Sequence, residues 1–269
     1  MRLRAWIVLT LALPAALPAQ SPATRAPGDG VMLAFENFAG IYGSRLVAAL
    51  DSIPEARYAY RPTPAQQTVG YIAQHLEDAN YELCQQFGGV KHPGTAKDSA
   101  PDTVKARWPK DTLVARLRAS LRFCDTALGR VGPLRSMARA SSLLAFETDL
   151  AEHYSQLAGY MRLLGLVPPS ALPQPARTAI ELPASALRPF VGTYEAAPGV
   201  RMDITLHDGA LFIHSTVSDA TRRLWPESNR DFFLKEVDAQ IRFTREVGGA
   251  VTGLVVHQNG RDVPAKRIP

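Results

Sequence analysis

Two histidines and one aspartate in this sequence have the side-chain types and the spacing of a metal site. Asp149 and His153 are four residues apart, so on an α-helix they share a face and can converge on one ion. His75 lies on the otherwise apolar face of an earlier predicted helix. Helical bundles commonly hold metals between facing helices, and two imidazoles with one carboxylate suit Zn²⁺, Ni²⁺ or Fe²⁺. A buried histidine hydrogen-bonded to a neighbouring carboxylate is an alternative that is at least as common.

The elements that would position these three residues are helical. Apolar residues recur every three or four positions through the first half of the chain, which is typical of amphipathic helices. The predicted helices span about 31–53, 68–87, 111–128 and 137–164. Thr68 is the expected N-cap of the second helix. Four such helices with no strand-like alternation between them predict a four-helix bundle.

The sequence changes character after the fourth helix, where six prolines fall within the 22 residues 168–189. Beyond them, apolar and polar residues alternate as they do in strands. Short strands are predicted at 190–195, 200–206, 210–214, 221–225, 232–237, 240–245 and 251–257. Asp208-Gly209, Gly248-Gly249 and Asn259-Gly260 are typical hairpin turns. The pattern predicts an antiparallel sheet or small barrel, so the fold class is α+β in two domains.

The N-terminus has the features of a secretory signal. Arg2 and Arg4 precede the apolar run 5–17, and the small residue Ala19 follows it. The run is too short to cross about 30 Å of hydrocarbon as a helix. An uncleaved anchor is the alternative, but prolines in the segment and polar residues after it favour cleavage. The predicted organisation is signal peptide 1–19, linker 20–30, bundle 31–169, proline-rich linker 170–183 and β-domain 184–269. The protein is therefore predicted to be exported, to the periplasm or outside the cell.

The chain contains two cysteines, Cys84 and Cys124. In an exported protein two cysteines can pair as a disulfide. Free buried thiols and a redox pair are the alternatives. Because there is no C-x-x-C motif, we favour a structural bridge.

Charge and motifs exclude several classes of function and partner. The formal net charge is +5 and falls by two when Arg2 and Arg4 leave with the signal. No basic run marks a nucleic-acid groove, so we expect no nucleic-acid partner. Cleavage of the signal leaves no stable membrane anchor, whereas a small-molecule ligand and a homodimer remain open. The chain has no G-x-S-x-G, H-E-x-x-H, G-x-G-x-x-G or P-loop motif.

Two segments resemble signatures of the DinB-like (damage-inducible) metal-binding bundle family. They are residues 58–81, YAYRPTPAQQTVGYIAQHLEDANY, and residues 153–169, HYSQLAGYMRLLGLVPP. The resemblance implies a four-helix bundle with a divalent metal held by three histidines. His75 and His153 match two of these positions, whereas Asp149 stands where the family usually has the third histidine. A carboxylate there changes the metal preference or abolishes binding. The implied cofactor is therefore Zn²⁺, Ni²⁺, Fe²⁺ or Mn²⁺, or none if Asp149 is not a ligand.

The resemblance also implies an activity, although it indicates more than one class of enzyme. Relatives include enzymes that transfer low-molecular-weight thiols and thiol-dependent isomerases, in which the metal would bind and activate the thiolate. Asn80, Tyr81, Glu152 and Tyr154 could support the ligands, or serve only as helix surface and core. The alternative is a non-enzymatic cell-envelope protein that binds a ligand or partner and carries a degenerate metal site.

The C-terminal region resembles a small lipocalin-like β-domain that is often appended to exported β-lactamase-like serine hydrolases. The resemblance lies in residues 187–195, LRPFVGTYE, and 251–260, VTGLVVHQNG. The hydrolase itself is absent, so the resemblance implies no hydrolytic role. It implies an interaction module or a module that shapes a ligand site.

Overall fold

The computed structural model describes residues 30–94, 99–132 and 134–269. The predicted signal peptide and nearly all of the linker that follows it lie outside the described residues. Within the described ranges, no helix is both long and apolar enough to cross a membrane.

The first part of the described chain is helical. In chain order the α-helices are α1 Gly30–Ser52, α2 Val69–Gly88, α3 Asp102–Lys105, α4 Lys110–Leu128, α5 Met137–Leu163 and α6 Ala184–Leu187. The four long helices lie within one residue of their predicted ends, because each carries a continuous apolar stripe. The short helix α3 is not among the four predicted helices. Its four residues are too few to show a helical period in the sequence.

The ends of α2 follow from its capping residues. The Thr68 hydroxyl accepts a hydrogen bond from the Tyr71 amide at 3.2 Å, as predicted for the N-cap. At the other end Gly89 adopts a left-handed conformation with φ of 61°, and its amide donates to the Gln85 carbonyl. These caps fix the register that turns His75 toward the bundle.

The four long helices pack as the predicted bundle, with α2 against α4 and α5, and α1 against α5 and α4. Their apolar faces form one buried core. The predicted disulfide is present and joins α2 to α4 through Cys84 and Cys124, with 5.2 Å between the Cα atoms. A buried disulfide indicates an oxidising, exported environment.

The C-terminal part is a closed antiparallel barrel. Its strands are β1 Gly192–Ala197, β2 Val200–His207, β3 Ala210–Ser215, β4 Ala220–Pro226, β5 Asp231–Phe233, β6 Ala239–Arg245, β7 Val251–Gln258 and β8 Arg261–Ile268. The α+β prediction is therefore confirmed. Two strands differ from their predicted bounds by more than one residue: β1 begins after Phe190, which lies in a 3₁₀ turn, and the strand predicted over 232–237 ends at Phe233.

The eighth strand was not predicted, because charged residues and Pro264 interrupt its apolar pattern. Proline cannot donate to a ladder and is tolerated only at an edge. Pro264 lies opposite Val255 of β7, beyond the short stretch from Lys266 to Ile268 in which β8 pairs with β1. Because β1 does not pair with β8 at Pro264, closure of the barrel does not require a backbone amide donor at that position.

Hairpin turns connect the strands as the sequence indicates. Asn259 and Gly260 both have positive φ, 54° and 72°, as a type I′ turn requires. This turn projects Arg261 toward the bundle. The Arg261 guanidinium donates to the Glu36 carbonyl of α1 and pairs with Asp125 of α4 at 3.2 Å. Arg261 therefore joins the barrel to the bundle.

Candidate metal centre

The structure brings together the three residues predicted to hold a metal. The Oδ1 atom of Asp149 lies 3.5 Å from Nε2 of His75 and 3.5 Å from Nε2 of His153. One ligand atom from each residue lies within 4.8 Å of the others. Helix α2 supplies His75, whereas α5 supplies Asp149 and His153 on one face. The predicted convergence of two helices is therefore observed.

The separations match those of ligands on a shared ion. Two ligand atoms about 2.1 Å from a tetrahedral metal lie roughly 3.4 Å apart. A direct charge-assisted hydrogen bond would be shorter, about 2.7–2.9 Å. The 3.5 Å between Asp149 Oδ1 and each histidine Nε2 therefore fits bridging by an ion better than direct pairing.

A chain of hydrogen bonds sets the orientation of His153. The Gln67 carbonyl can only accept, so it receives the Tyr160 hydroxyl proton at 3.0 Å. The Tyr160 oxygen then accepts from Gln156 Nε2 at 2.9 Å. This leaves Gln156 Oε1 facing His153 Nδ1 at 3.1 Å, and Nδ1 must donate. In the neutral ring Nε2 therefore carries a lone pair directed at the site.

The directed lone pair decides what the site can hold. Asp149 Oδ1 and His153 Nε2 repel each other unless a proton or a metal cation lies between them. The second oxygen of Asp149, Oδ2, is buried and has no hydrogen-bond partner among the described residues. Two imidazoles, a carboxylate with an unsatisfied oxygen and a fixed histidine orientation fit a divalent metal.

The two neighbouring imidazoles favour an ionised carboxylate at the site. Burial opposes ionisation of Asp149, but the imidazoles of His153 and His75 beside it outweigh burial and lower its pKa to about 2. The interaction of His75 with the accepting carboxylate of Asp149 raises the pKa of His75, although burial opposes the shift. The His75 side chain is 36% exposed and that of His153 only 11%, so the centre opens to solvent beside His75.

A cleft adjoins the open side of the centre. It has a volume of about 720 Å³, and its walls include Gln67 and Tyr71. The Tyr71 ring stacks on His75 with 6.4 Å between centroids, and Gln67 anchors the chain that orients His153. Two guanidinium groups, those of Arg61 and Arg107, also line the cleft. The Glu55 carboxylate lines the cleft as well, whereas none of the three candidate ligands does. A small molecule in the cleft would therefore reach the surroundings of the centre through Gln67 and Tyr71.

Two of the predicted supporting residues on α2 pack toward α4. Asn80 is fully buried, and its amide donates to the Ser120 hydroxyl at 2.9 Å. The Tyr81 ring packs against that of Phe123, with 5.1 Å between centroids. A role for Asn80 and Tyr81 in supporting the metal ligands stays a prediction.

The two predicted supporting residues on α5 differ in their surroundings. Glu152 is exposed, and the Tyr154 hydroxyl accepts from the Ser170 amide at 2.8 Å. Their supporting role also stays a prediction. Sequence reasoning missed Gln156, which does contact a candidate ligand. The available signal was its position three residues after His153, which places both side chains on one helix face.

The family model that matches this chain covers the barrel rather than the metal centre. A family model described as a domain of unknown function (DUF3471) matches residues 176–266. No curated protein matches the chain. A solved structure titled "Crystal structure of SurE with D-Leu" is similar at 21% identity over 45% of this chain, with a TM-score of 0.31. This chain spans 28% of the length of that structure.

Proposed function

We propose that this protein is an exported metalloprotein whose helical bundle binds a divalent metal ion through His75, Asp149 and His153. The observation that carries the proposal is the position of Asp149 Oδ1, 3.5 Å from two imidazole nitrogens. The hydrogen-bond chain through Gln156 presents a lone pair of His153 to the same point. The resemblance of residues 58–81 and 153–169 to the DinB-like family supports His75 and His153 as ligands, with Asp149 in place of the usual third histidine.

The chemistry that we propose is thiol-dependent transfer, as in relatives within that family. Three protein ligands leave open positions on a divalent metal, which lowers the pKa of a bound thiol or water. The cleft next to Tyr71 gives room for a small substrate, and Arg61 and Arg107 in its lining would contact anionic groups of that substrate. The Tyr71 ring lies nearly parallel to His75 with 6.4 Å between centroids, so it would lie beside a substrate that approaches from the cleft.

Metal analysis of the tag-free mature chain tests the proposal. The protein is reconstituted separately with Zn²⁺, Ni²⁺, Mn²⁺ and anaerobic Fe²⁺, dialysed, and analysed for metal by mass spectrometry. We expect about one tightly held ion per chain for at least one metal. His75→Ala and the near-isosteric Asp149→Asn should each weaken binding at least tenfold.

A second histidine–aspartate pair provides a matched control. His257 and Asp262 of the barrel lie 2.5 Å apart through Nδ1 and Oδ1, and no third ligand from the described residues joins them. His257→Ala should leave the metal content unchanged. Sub-stoichiometric binding of all four metals would overturn the proposal. It would favour the alternative, a binding protein in which a protonated histidine pairs with Asp149.

A further inference from the structure

The barrel is filled at one end and hollow at the other. Aromatic rings of Phe190, Tyr194, Phe232 and Phe243 pack together at the filled end, with centroids 4.4–5.7 Å apart. The hollow end contains a cavity of about 360 Å³. An eight-stranded barrel is just wide enough to be filled by side chains or to hold one small ligand. In this barrel, side chains fill one end and the other end has room for one small ligand.

Small and aliphatic side chains line most of the hollow end. Ala196, Ala220 and Ala239 stand at inward positions where larger residues would fill the space. Val200, Met202 and Ile241 complete much of the apolar wall. Small-molecule sites typically have volumes of about 300–1,000 Å³ and mostly apolar walls with few polar groups. The cavity lies at the lower end of that range, which suits one short chain rather than a two-chain lipid.

The partly exposed Arg222 also lines this space. Along β4, Ala220, Arg222 and Leu224 face inward, whereas Thr221 and Arg223 are exposed. Arg222 lies opposite the buried Ile213 of β3. A charged group in apolar surroundings is costly unless an opposite charge compensates it.

No protein carboxylate compensates Arg222 among the described residues. Its guanidinium donates only to the Ser218 hydroxyl, at 3.3 Å. Three other charged groups line the cavity: Asp262 pairs with His257, Arg261 pairs with Asp125, and the Glu36 carboxylate of α1 is buried and makes no ion pair with Arg222. The guanidinium of Arg222 is therefore available to an anion that enters the cavity.

Helix α1 covers part of the opening. Leu33, Ala34 and Asn37 of α1 lie at the cavity mouth, where Arg261 holds the helix against the barrel. A ligand in the barrel would therefore contact both parts of the chain.

We propose that the hollow end of the barrel binds a small amphipathic monocarboxylate, with its acyl chain against the aliphatic wall and its carboxylate on Arg222. Arginine forms paired hydrogen bonds with a carboxylate, and the apolar wall contributes through burial of methylene groups. This site is separate from the metal centre and does not depend on the proposed function.

Calorimetric titration of the mature full-length chain with octanoate, decanoate and dodecanoate tests the proposal. Affinity should rise about fourfold with each added methylene until the cavity is full. Neutral 1-decanol should bind at least tenfold more weakly than decanoate, because it leaves Arg222 uncompensated. Ala220→Leu, which fills the cavity, should abolish decanoate binding.

Neighbouring arginines on β4 give a matched pair of variants. Arg222→Gln should weaken decanoate binding at least tenfold and leave 1-decanol binding unchanged, whereas the outward Arg223→Gln should change neither. Decanoate should also raise the thermal midpoint of the wild-type chain and not that of Ala220→Leu. The proposal is overturned if decanoate fails to bind below about 1 mM, or if the two arginine variants weaken binding equally.

Discussion

Arg261 of the barrel occupies the space that a side chain at Gly40 of helix α1 would need. A Cβ atom built on Gly40 collides with Cδ and Cγ of Arg261. From this position the guanidinium reaches the Glu36 carbonyl and the Asp125 carboxylate. Glycine is unfavourable inside a helix, so its presence in the middle of α1 follows from the docking of the barrel.

We expect Gly40→Ala to destabilise the junction between barrel and bundle. Elsewhere in a helix, glycine to alanine adds about 0.5–1 kcal/mol of stability. Here the new methyl group displaces Arg261 from Glu36 and Asp125, and the lost contacts should cancel or exceed that gain. Urea unfolding measures the stability, and small-angle scattering shows whether the chain becomes more extended.

Gly159 of α5 is the matched control. It is a helical glycine, and a Cβ there meets no atom within 4 Å. Gly159→Ala should therefore stabilise the protein by up to about 1 kcal/mol and leave its dimensions unchanged. Equal stabilisation by the two alanines would contradict the role that we assign to Arg261.

The sequence predicts most of the fold because its apolar periods are strong. Each long helix has a continuous stripe, and turns such as Asn259-Gly260 carry residues that tolerate positive φ. Strand β8 was missed because Pro264 and alternating charges hide it, and only closure against β1 and β7 reveals it. The contact of Arg261 with Gly40 depends on docking, which no local pattern encodes.

The three candidate ligands of the site were predictable from the sequence. Asp149 and His153 show helical spacing, and His75 stands out as a polar residue on an apolar face. The orientation of His153 was not predictable. It depends on the Gln67 carbonyl, which lies in the loop before α2 and reaches α5 only in the folded bundle.

Removing the group that orients His153 should weaken metal binding without removing a ligand. Gln156→Leu takes away the acceptor for His153 Nδ1. Loss of such an outer partner typically costs 10–100-fold in metal affinity. Competition with a chromophoric chelator measures the affinity, and Gln85→Leu, an exposed change on α2, is the control. Unchanged affinity in Gln156→Leu would show that the chain does not orient the ligand.

Replacing the carboxylate by a third imidazole should change which metal is preferred. Imidazole suits Zn²⁺ and Ni²⁺, whereas carboxylate suits Mn²⁺. Asp149→His should therefore raise affinity for Zn²⁺ and Ni²⁺ relative to Mn²⁺ by about tenfold or more, measured by pairwise metal competition. Asp149→Asn, which removes the charge without adding an imidazole, should lower affinity for all three. If the histidine variant keeps the wild-type order of affinities, Asp149 is not a ligand.

The disulfide should contribute substantially to the stability of the bundle. Cys84 and Cys124 are separated by 40 residues, and closing such a loop is worth about 3–4 kcal/mol in the chain-entropy model. The double variant Cys84→Ala/Cys124→Ala should lose about that much free energy of unfolding in urea. Reductant should destabilise the wild type and leave the double variant unaffected. A double variant as stable as the oxidised wild type would contradict the prediction.

The free energy of unfolding at alkaline pH should depend on Tyr194, which is buried at the filled end of the barrel. Its ring is fully buried, and its hydroxyl donates to the Phe190 carbonyl at 2.7 Å. Burial raises the pKa of Tyr194 to about 12, with Arg267 opposing the shift. An unfolded tyrosine ionises near pH 10, so the folded state holds its proton more tightly. The stability that the neutral hydroxyl provides is therefore complete below pH 10 and is lost as pH rises from 10 toward 12.

Tyr194→Phe removes this dependence along with the hydrogen bond. At pH 8 we expect the variant to be less stable than the wild type by about 1 kcal/mol. Above pH 10 the difference should shrink, because only the wild type loses stability through position 194. Burial also raises the pKa of Tyr58, but that residue is present in both proteins and cancels in the comparison. Urea unfolding of both chains from pH 8 to 11.5 measures the difference. A gap that stays constant over this range would mean that Tyr194 ionises equally readily in the folded and unfolded states.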